Sequence, residues 1–508
     1  MDFTPLARPY FRHLLGRRAR WSNPSGAEAV QRGVLGELLH RGASTRYGMR
    51  YGMGHMRTYE DFAARVPLTE YEDIRAEAER MVAGERDILW PGVCRRFAQS
   101  SGTSGGKSKY VPVTAASLRR NHYAGAAEAV ASYLGLYPDS RIFSGKAFIL
   151  GGSFANELAA VPAGVTVGDL SANLIDAVNP FVNLFRVPDK QTALMSDWSA
   201  KLPALVHAAS RADVTNISGV PSWFLTVLRG VLAETGASTV HEVWPGLEVF
   251  FHGGIAFGPY REQYRAITDP SKMRYIENYN ASEGFFAVQE TAEATDGMRL
   301  LLDHGVFFEF HNQESGETLP AWKVEQGSVY SLVISSCNGL WRYLPGDTVR
   351  IESVEPLRIS IAGRTNSYIN AFGEELMVWN ADAAIAAACE KTGARVADYT
   401  AAPVYTTSHN KGRHQWAIEW AEAPECGSEA FADILDRHLQ AVNSDYQAKR
   451  TSDIFLGRLE IVEVPQGTFD KWLASTGKLG GQRKVPRLAN DRHIIDQILE
   501  IIKPKPLI

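Results

Sequence analysis

The stretch Ser100-Ser101-Gly102-Thr103-Ser104-Gly105-Gly106-Lys107-Ser108-Lys109 decides how this 508-residue chain is read. Glycines let backbone N–H groups turn toward an anion without a Cβ in the way, hydroxyls add donors, and lysines add charge, so the loop describes a phosphate cradle. A Walker P-loop would need four residues between its first glycine and the Gly-Lys pair, whereas Gly102 to Gly106 leaves three. That motif also joins a strand to a helix. Here Arg96-Phe97-Ala98 before the loop and Tyr110-Val111-Pro112-Val113 after it are both extended in pattern, which predicts a loop between two strands. The alternative is a plain surface loop rich in serine and glycine.

Outward from the loop, the first 90 residues have helical periodicity, as in Val30, Val34, Leu35, Leu38 and Leu39, and are predicted to form a helical lead-in. From about 95 to 360, short β-rich runs alternate with helices: Ala147 to Leu150, Leu247 to Phe251, Met273 to Asn278, Val329 to Ile334 and Ile359 to Ala362. Such alternation predicts an α/β sheet domain. Asn338-Gly339 is a hairpin-turn signal. Beyond Gly363 come an Ala-rich helix from Asn380 to Cys389, a strand around Ala417 to Trp420, a helix from Glu429 to Val442 and a strand near Leu459 to Val464, the pattern of a small α+β domain. The expected division is 1–363 for a large N-terminal domain, 364–373 for a hinge and 374–508 for a small C-terminal domain.

Composition narrows the function classes. With 45% hydrophobic and 22% charged residues the chain is globular in type, and a net charge of −4 gives no reason to expect nucleic acid or an anionic membrane as its main partner. Cys94, Cys337, Cys389 and Cys426 form no C-x-x-C pair, which argues against a zinc site or a disulfide framework and favours a reducing, cytoplasmic setting. No apolar run reaches the roughly 18 to 20 residues needed to span a bilayer. Arg8, Arg12, Arg17, Arg18 and Arg20 are read as a basic surface helix rather than a transit peptide. No heptads suggest a coiled coil, and a monomer is expected.

Further segments stand in order downstream: Tyr279-Asn280-Ala281-Ser282-Glu283-Gly284, Trp341-Arg342-Tyr343-Leu344-Pro345-Gly346-Asp347 and Gln482-Arg483-Lys484-Val485-Pro486-Arg487. Together with the loop at 100–109 they resemble the adenylate-forming ANL superfamily. Within it, they resemble the plant acyl acid amido synthetases that conjugate auxin or jasmonate to amino acids. The likeness spans about residues 95 to 490. It implies a large ANL-type domain of β-sheets with flanking helices, a smaller mobile α+β domain, and the use of ATP and Mg2+.

The resemblance assigns roles residue by residue. Ser100, Ser101, Gly102, Thr103, Ser104, Lys107 and Lys109 become contacts of the β- and γ-phosphates, and Glu283 the Mg2+ ligand. Ser282 falls on the α-phosphate and Tyr279 beside the adenine. Asp347 follows a Pro-Gly turn, where an Asx-turn role is open; the resemblance makes it the acceptor for both ribose hydroxyls. Arg364 matches the superfamily's hinge arginine, and Lys484 the lysine that the C-terminal domain carries into the active site to stabilise adenylation. Asn370-Ala371-Phe372-Gly373 departs from the plant enzymes' Asp/Lys-rich hinge.

Two assignments rest on the residues alone. Gly253 and Gly254 end a predicted strand and would let a flat base approach the backbone, or would make a tight strand-to-helix turn. For the acyl pocket, Arg119, His122, Tyr123 and Ala126 on the helix after the loop, with Val220 and Trp223, are taken as lining residues, core packing being the alternative. The leading reading is a ligase that converts a carboxylic acid and ATP to acyl-AMP and then transfers the acyl group to an amino acid or other amine. An acyl-CoA ligase and a non-catalytic nucleotide-binding regulator are the alternatives.

Overall fold

The computed structural model describes residues 2–503 apart from 101–107, 157, 159–160, 255–256, 365–367, 370, 372–373, 375, 405–411, 444–445, 448–449, 451–455, 477–484 and 490. The chain divides into two units, one of Met1–Ile255 with Ile267–Ser360, the other of Ile361–Ile508 with Ala256–Ala266.

In the large unit, capped helices make up the lead-in. Asn23 accepts from the N–H of Gly26 (2.8 Å) ahead of Pro24 at the first turn of helix Pro24–Gly42, and Thr58 with Asp61 closes a capping box on helix Tyr59–Arg65. Of the positions read from the sequence, helix Pro24–Gly42 buries Val34, Leu35, Leu38 and Leu39, while Val30 is half-buried. The strands Arg96–Ser100 and Lys109–Pro112 pair antiparallel, Ser100 opposite Lys109, so the glycine-rich loop does link two strands.

The main sheet has twelve strands. Arg186–Val187, Lys146–Ile149, Val214–Gly219, Val249–Gly253 and Arg274–Ala281 run parallel in that spatial order, and the remaining strands continue the sheet from Gly284–Gln289, which pairs antiparallel with Arg274–Ala281. Helices Trp198–Ser210 and Pro221–Thr235 lie in the crossovers. Cys337-Asn338-Gly339 turns the chain after Val329–Ser336, with Gly339 at φ +94°, and the N–H of Tyr343 returns to the carbonyl of Ile334 (2.8 Å).

The arginine-rich start is a helix, Thr4–Arg17, but one expectation about it needs correcting. Arg18 is buried, its guanidinium 2.7 Å from the buried Glu128 and 3.2 Å from Glu290, which also meets Arg299 (3.2 Å). His304 joins this network, with Nδ1 2.6 Å from Asp303 and Nε2 3.4 Å from Glu128. Burial alone would lower the imidazole's pKa, but the two carboxylates outweigh it and raise it above the ordinary value. A raised histidine pKa contributes stability fully below about pH 6.5 and loses it as pH climbs through the folded-state pKa. The destabilisation caused by His304→Gln is therefore expected to be largest near pH 6 and to shrink toward pH 9 in urea melts. A loss of constant size across that range would show that His304 acts without its charge.

In the small unit, Arg395–Val404 pairs antiparallel with Arg413–Glu422, which pairs parallel with Glu460–Val464. Helix Val378–Thr392 buries Ala381, Ala384, Ile385 and Ala388, and helix Ser428–Val442 buries Phe431, Leu435 and Leu439, each at helical spacing. The excursion Ala256–Ala266 is integral to this unit: Gln263 donates to the carbonyl of Val396 (3.1 Å), and Arg487 donates to the Tyr260 hydroxyl (3.2 Å).

Candidate active site

The five parallel strands deliver their carboxyl ends to one edge of the sheet, the place where open α/β sheets bind ligands. Gly219 stands opposite His252, and Gly253 opposite Asn278, so Val220, Gly253, Gly254 and Tyr279 follow one another across that edge. A Cβ at Gly253 would lie 2.4 Å from the carbonyl oxygen of Asn278, so the close approach that demands glycine there is made by the neighbouring strand. Gly254 needs glycine for its φ of +84°. Buried Asn278 donates to the carbonyl of His252 (3.3 Å), and its Oδ1 has no hydrogen-bond partner among the described residues. A buried acceptor left over at this edge suits a ligand donor such as an amino group.

Tyr279, Glu283 and Asp347 are all buried here. The Tyr279 hydroxyl donates to Asp347 Oδ2 at 2.6 Å, placing two residues from separate motifs side by side. Asp347 opens the strand Asp347–Val354 directly after Gly346, whose φ is +92°. Ser282 and Glu283 sit in the turn between Arg274–Ala281 and Gly284–Gln289, and the side-chain amide of Asn338 donates to the carbonyl of Glu283 (3.0 Å). The Asn338-Gly339 turn therefore braces the turn that carries Glu283.

Tyr343 links the two carboxylates electrostatically. Burial first, then the negative charges of Glu283 and Asp347 together with the Tyr71 phenol, hold its phenol protonated well above the ordinary range. Its hydroxyl has no hydrogen-bond partner among the described residues. Tyr71 in turn accepts from the N–H of Tyr110 (2.6 Å), and Lys109 Nζ lies 5.9 Å from the Tyr71 ring centre. One end of the glycine-rich loop is thus tied to the neighbourhood of Tyr343. Ser101, Gly102, Thr103, Ser104 and Lys107 fall outside the described residues; Ser100 and Lys109 end and begin the flanking strands.

The acyl-pocket residues are less united. Leu118–His122 is a π-helical turn at the start of helix Tyr123–Leu136, a distortion that frequently marks functional positions. His122 is buried, its Nε2 has no partner among the described residues, and burial pushes its pKa down to about 4, so it offers a neutral imidazole and no charge. Tyr123 donates to the carbonyl of Leu174 (2.8 Å). Arg119 and Ala126 are exposed, with Arg119 bonded back to the carbonyl of Ala115 (3.3 Å). Val220 caps helix Pro221–Thr235, and Trp223 packs edge-on against Trp198.

Sequence reasoning passed over Tyr343, Asn338 and Asn278 as site residues, although the first stands inside the Trp341–Asp347 motif. It also passed over Lys201, which is buried and donates to the carbonyls of Gly151 (2.7 Å) and Gly152 (3.1 Å) just beyond strand Lys146–Ile149. Burial pulls that ammonium down to about 8.

In the small unit Arg364 ends the strand Leu357–Arg364, and Lys484 lies outside the described residues. The segment just after Lys484 is firmly held: Thr400 donates to the carbonyl of Pro486 (2.6 Å), the N–H of Ala401 to that of Arg487 (2.8 Å), and the Arg487 guanidinium contacts Asp398 and lies over the Tyr399 ring (4.5 Å).

The fold, a twelve-stranded mixed sheet in the large unit and a small α+β unit, is shared with solved ligases. The solved acyl acid amido synthetase AtGH3.15, in complex with 2,4-DB, superposes with a TM-score of 0.80 at 18% identity, covering 98% of this chain and 97% of that one. A 2-hydroxyisobutyryl-CoA ligase in the postadenylation state, in complex with R3-HIB-AMP, superposes at 0.60 with 14% identity over 94% of this chain and 92% of that one. The chain belongs to the GH3 family: residues 24–220, 299–364 and 379–493 match its N-terminal, central and C-terminal domains. Curated relatives include indole-3-acetic acid-amido synthetase GH3.4 of Arabidopsis thaliana, 24% identical over 91% of this chain and 89% of its own length. Another is the probable indole-3-acetic acid-amido synthetase GH3.1 of Oryza sativa subsp. japonica, 24% identical over 93% of this chain and 89% of its own length.

Proposed function

We propose that the protein is an ATP-dependent acyl acid amido synthetase. A substrate carboxylate oxygen attacks the α-phosphorus, the bond from that phosphorus to the bridging oxygen breaks, and pyrophosphate leaves. An amino acid or other amine then attacks the carbonyl carbon, loses a proton, and expels AMP as the amide forms. The observation that carries this reading is the Tyr279–Asp347 hydrogen bond next to Glu283 at the carboxyl edge of the sheet.

Asp347, which accepts from Tyr279, would also accept from the ribose hydroxyls, and Asn278 Oδ1 would take an adenine amino proton beside Gly253 and Gly254. Glu283, buried in the turn before Gly284–Gln289, would hold Mg2+, which would supply charge neutralisation on the departing pyrophosphate. Ser100, Ser101, Gly102, Thr103, Ser104, Lys107 and Lys109 would hold the β- and γ-phosphates, with Ser282 on the α-phosphate.

Residues 364–373 would serve as hinge between domains 1–363 and 374–508, with 256–266 and 361–363 grouped by contact with the second, Arg364 would reach the nucleotide, and Lys484 would stabilise charge during adenylation. Arg119, His122, Tyr123, Ala126, Val220 and Trp223 would line the acyl site. The setting we assign is cytoplasmic, supported by four free thiols, and the protein is assigned as a monomer.

The test is carboxylate-dependent ATP–pyrophosphate exchange across a panel of aromatic and fatty acids, without amine or coenzyme A. Exchange is expected with at least one acid, and Asp347→Ala should lower it by about 10²-fold if a charge-assisted contact to ribose is lost along with the Tyr279 pairing. AMP release should then respond to amino acids. Release that responds to coenzyme A alone would transfer the assignment to an acyl-CoA ligase, and no exchange despite measured ATP binding would favour the regulator.

A further inference from the structure

Two exposed apolar surfaces of the large unit join at one point. On helix Thr4–Arg17 and the residue before it, Phe3, Leu6 and Tyr10 share a face by their spacing, with Leu6 80% and Tyr10 56% exposed. The 3-10 turn Pro180–Phe185 buries none of its residues, and Phe181 and Leu184 are 72% and 64% exposed. The rings of Phe3 and Phe185 meet edge to face with centroids 5.7 Å apart, so the two surfaces are continuous. Pro180–Phe185 leads into Arg186–Val187, the end strand of the twelve-stranded sheet, which places the patch at that sheet's edge.

Soluble domains seldom leave this many large apolar side chains together in water. The acids nearest to them are engaged: Asp2 with Arg141, Asp176 with Arg96 and Lys190, and Asp189 as the cap of helix Lys190–Ala193. Residues 3–27 contain five arginines and no Asp or Glu, and residues 177–188 contain no acid either. Arg18 is consumed internally, and Arg17 and Arg20 face Asp303. Arg8 is half-buried, donates to the carbonyl of Ser140 and has no ion pair among the described residues, and Arg12 is exposed with no ion pair among them. A second copy docked through the same patch would bring further arginines and no acid from these two segments. A surface of anionic lipid supplies what both components of the patch lack: apolar volume for Leu6, Tyr10, Phe181 and Leu184, and negative charge for Arg8 and Arg12.

We propose that this patch docks the protein peripherally on anionic membranes. No helix among the described residues is long and apolar enough to cross a bilayer, so the contact is interfacial. The overall charge of −4 hides this local excess, which is why composition gave no hint of it.

Co-sedimentation of the full chain with vesicles of phosphatidylcholine containing about one third phosphatidylglycerol tests the proposal. Binding is expected on those vesicles, to fall with added salt, and to be at least about tenfold weaker on phosphatidylcholine alone. Leu6→Ser with Phe181→Ser, and separately Arg12→Glu, should each weaken it by a similar factor while leaving the melting temperature unchanged, since all three side chains are exposed. The proposal is overturned by no binding to the anionic vesicles, by equal binding to neutral ones, or by binding indifferent to both variants. It is equally overturned if the wild type is a dimer in solution that the double serine variant converts to monomer. None of these readouts depends on ligase activity.

Discussion

Lys484→Ala is expected to slow acyl-adenylate formation by about 10²-fold or more while leaving aminolysis of preformed acyl-adenylate near the wild-type rate. The role assigned to the lysine is to stabilise the charge that builds during adenylation on the α-phosphate and the departing pyrophosphate; aminolysis involves no pyrophosphate, and the expected result is that AMP leaves without help from Lys484. The segment after this lysine has the rigidity that such a role requires. Pro486 and Arg487 offer their carbonyls to strand Arg395–Val404, and the Arg487 side chain is fixed by Asp398, the carbonyl of Tyr399 and the Tyr260 hydroxyl. Rapid-quench measurement of each half-reaction gives the answer, and equal loss in both would remove the assignment.

Arg342→Ala is expected to destabilise the large unit by about 3–5 kcal/mol, the usual result of stripping one partner from a buried ion pair. Arg342 holds a left-handed φ of +43°, which its interactions must maintain. Its guanidinium meets both oxygens of the fully buried Glu309 at 3.1 Å and donates to the carbonyls of Ala63 and Val66 at 2.9 Å, while the Tyr59 hydroxyl also donates to Glu309 (3.0 Å). Burial already raises the Glu309 pKa despite the arginine, so without Arg342 the carboxyl takes up a proton and part of the loss is recovered at low pH. Arg342→Met with Glu309→Met should return most of the stability in guanidinium unfolding. A single Arg342→Ala variant as stable as the wild type would show that the pair carries no net weight. The expected side effect is on the nucleotide: the carbonyl of Arg342 and the N–H of Leu344 are stitched to Thr69 (both 2.9 Å) a few residues before Asp347, so weaker ATP binding should accompany the unfolding shift.

The elements that could be read from the sequence are those specified by nearby residues. The strand-loop-strand at 96–112 follows from its flanks, the turn at Asn338-Gly339 from a glycine that reaches φ +94°, and helix Val378–Thr392 from an alanine-rich apolar stripe. Tyr279, near the end of Arg274–Ala281, and Asp347, at the start of Asp347–Val354, meet through the order of the whole sheet, which their two motifs do not spell out. What was not legible depends on partners far away in sequence. Arg18 reads as one more surface arginine until Glu128, 110 residues on, is seen to bury with it. Arg342 shows nothing of Glu309, and Lys201 nothing of the Gly151–Gly152 carbonyls, since burial of a single charge is decided by the whole surrounding shell.

The excursion Ala256–Ala266 has a bearing on evolution and engineering. Because these residues belong with Ile361–Ile508, the polypeptide passes between the units three times rather than once. Ending the gene at Ser360 would strand Tyr260 and Gln263 without Arg487 and Val396, and a transplanted C-terminal half would arrive lacking a piece of its own fold. Recombination between relatives should therefore yield working chimeras only when 256–266 and the C-terminal half come from the same parent, a condition that a single crossover between 267 and 360 breaks and one upstream of 256 keeps.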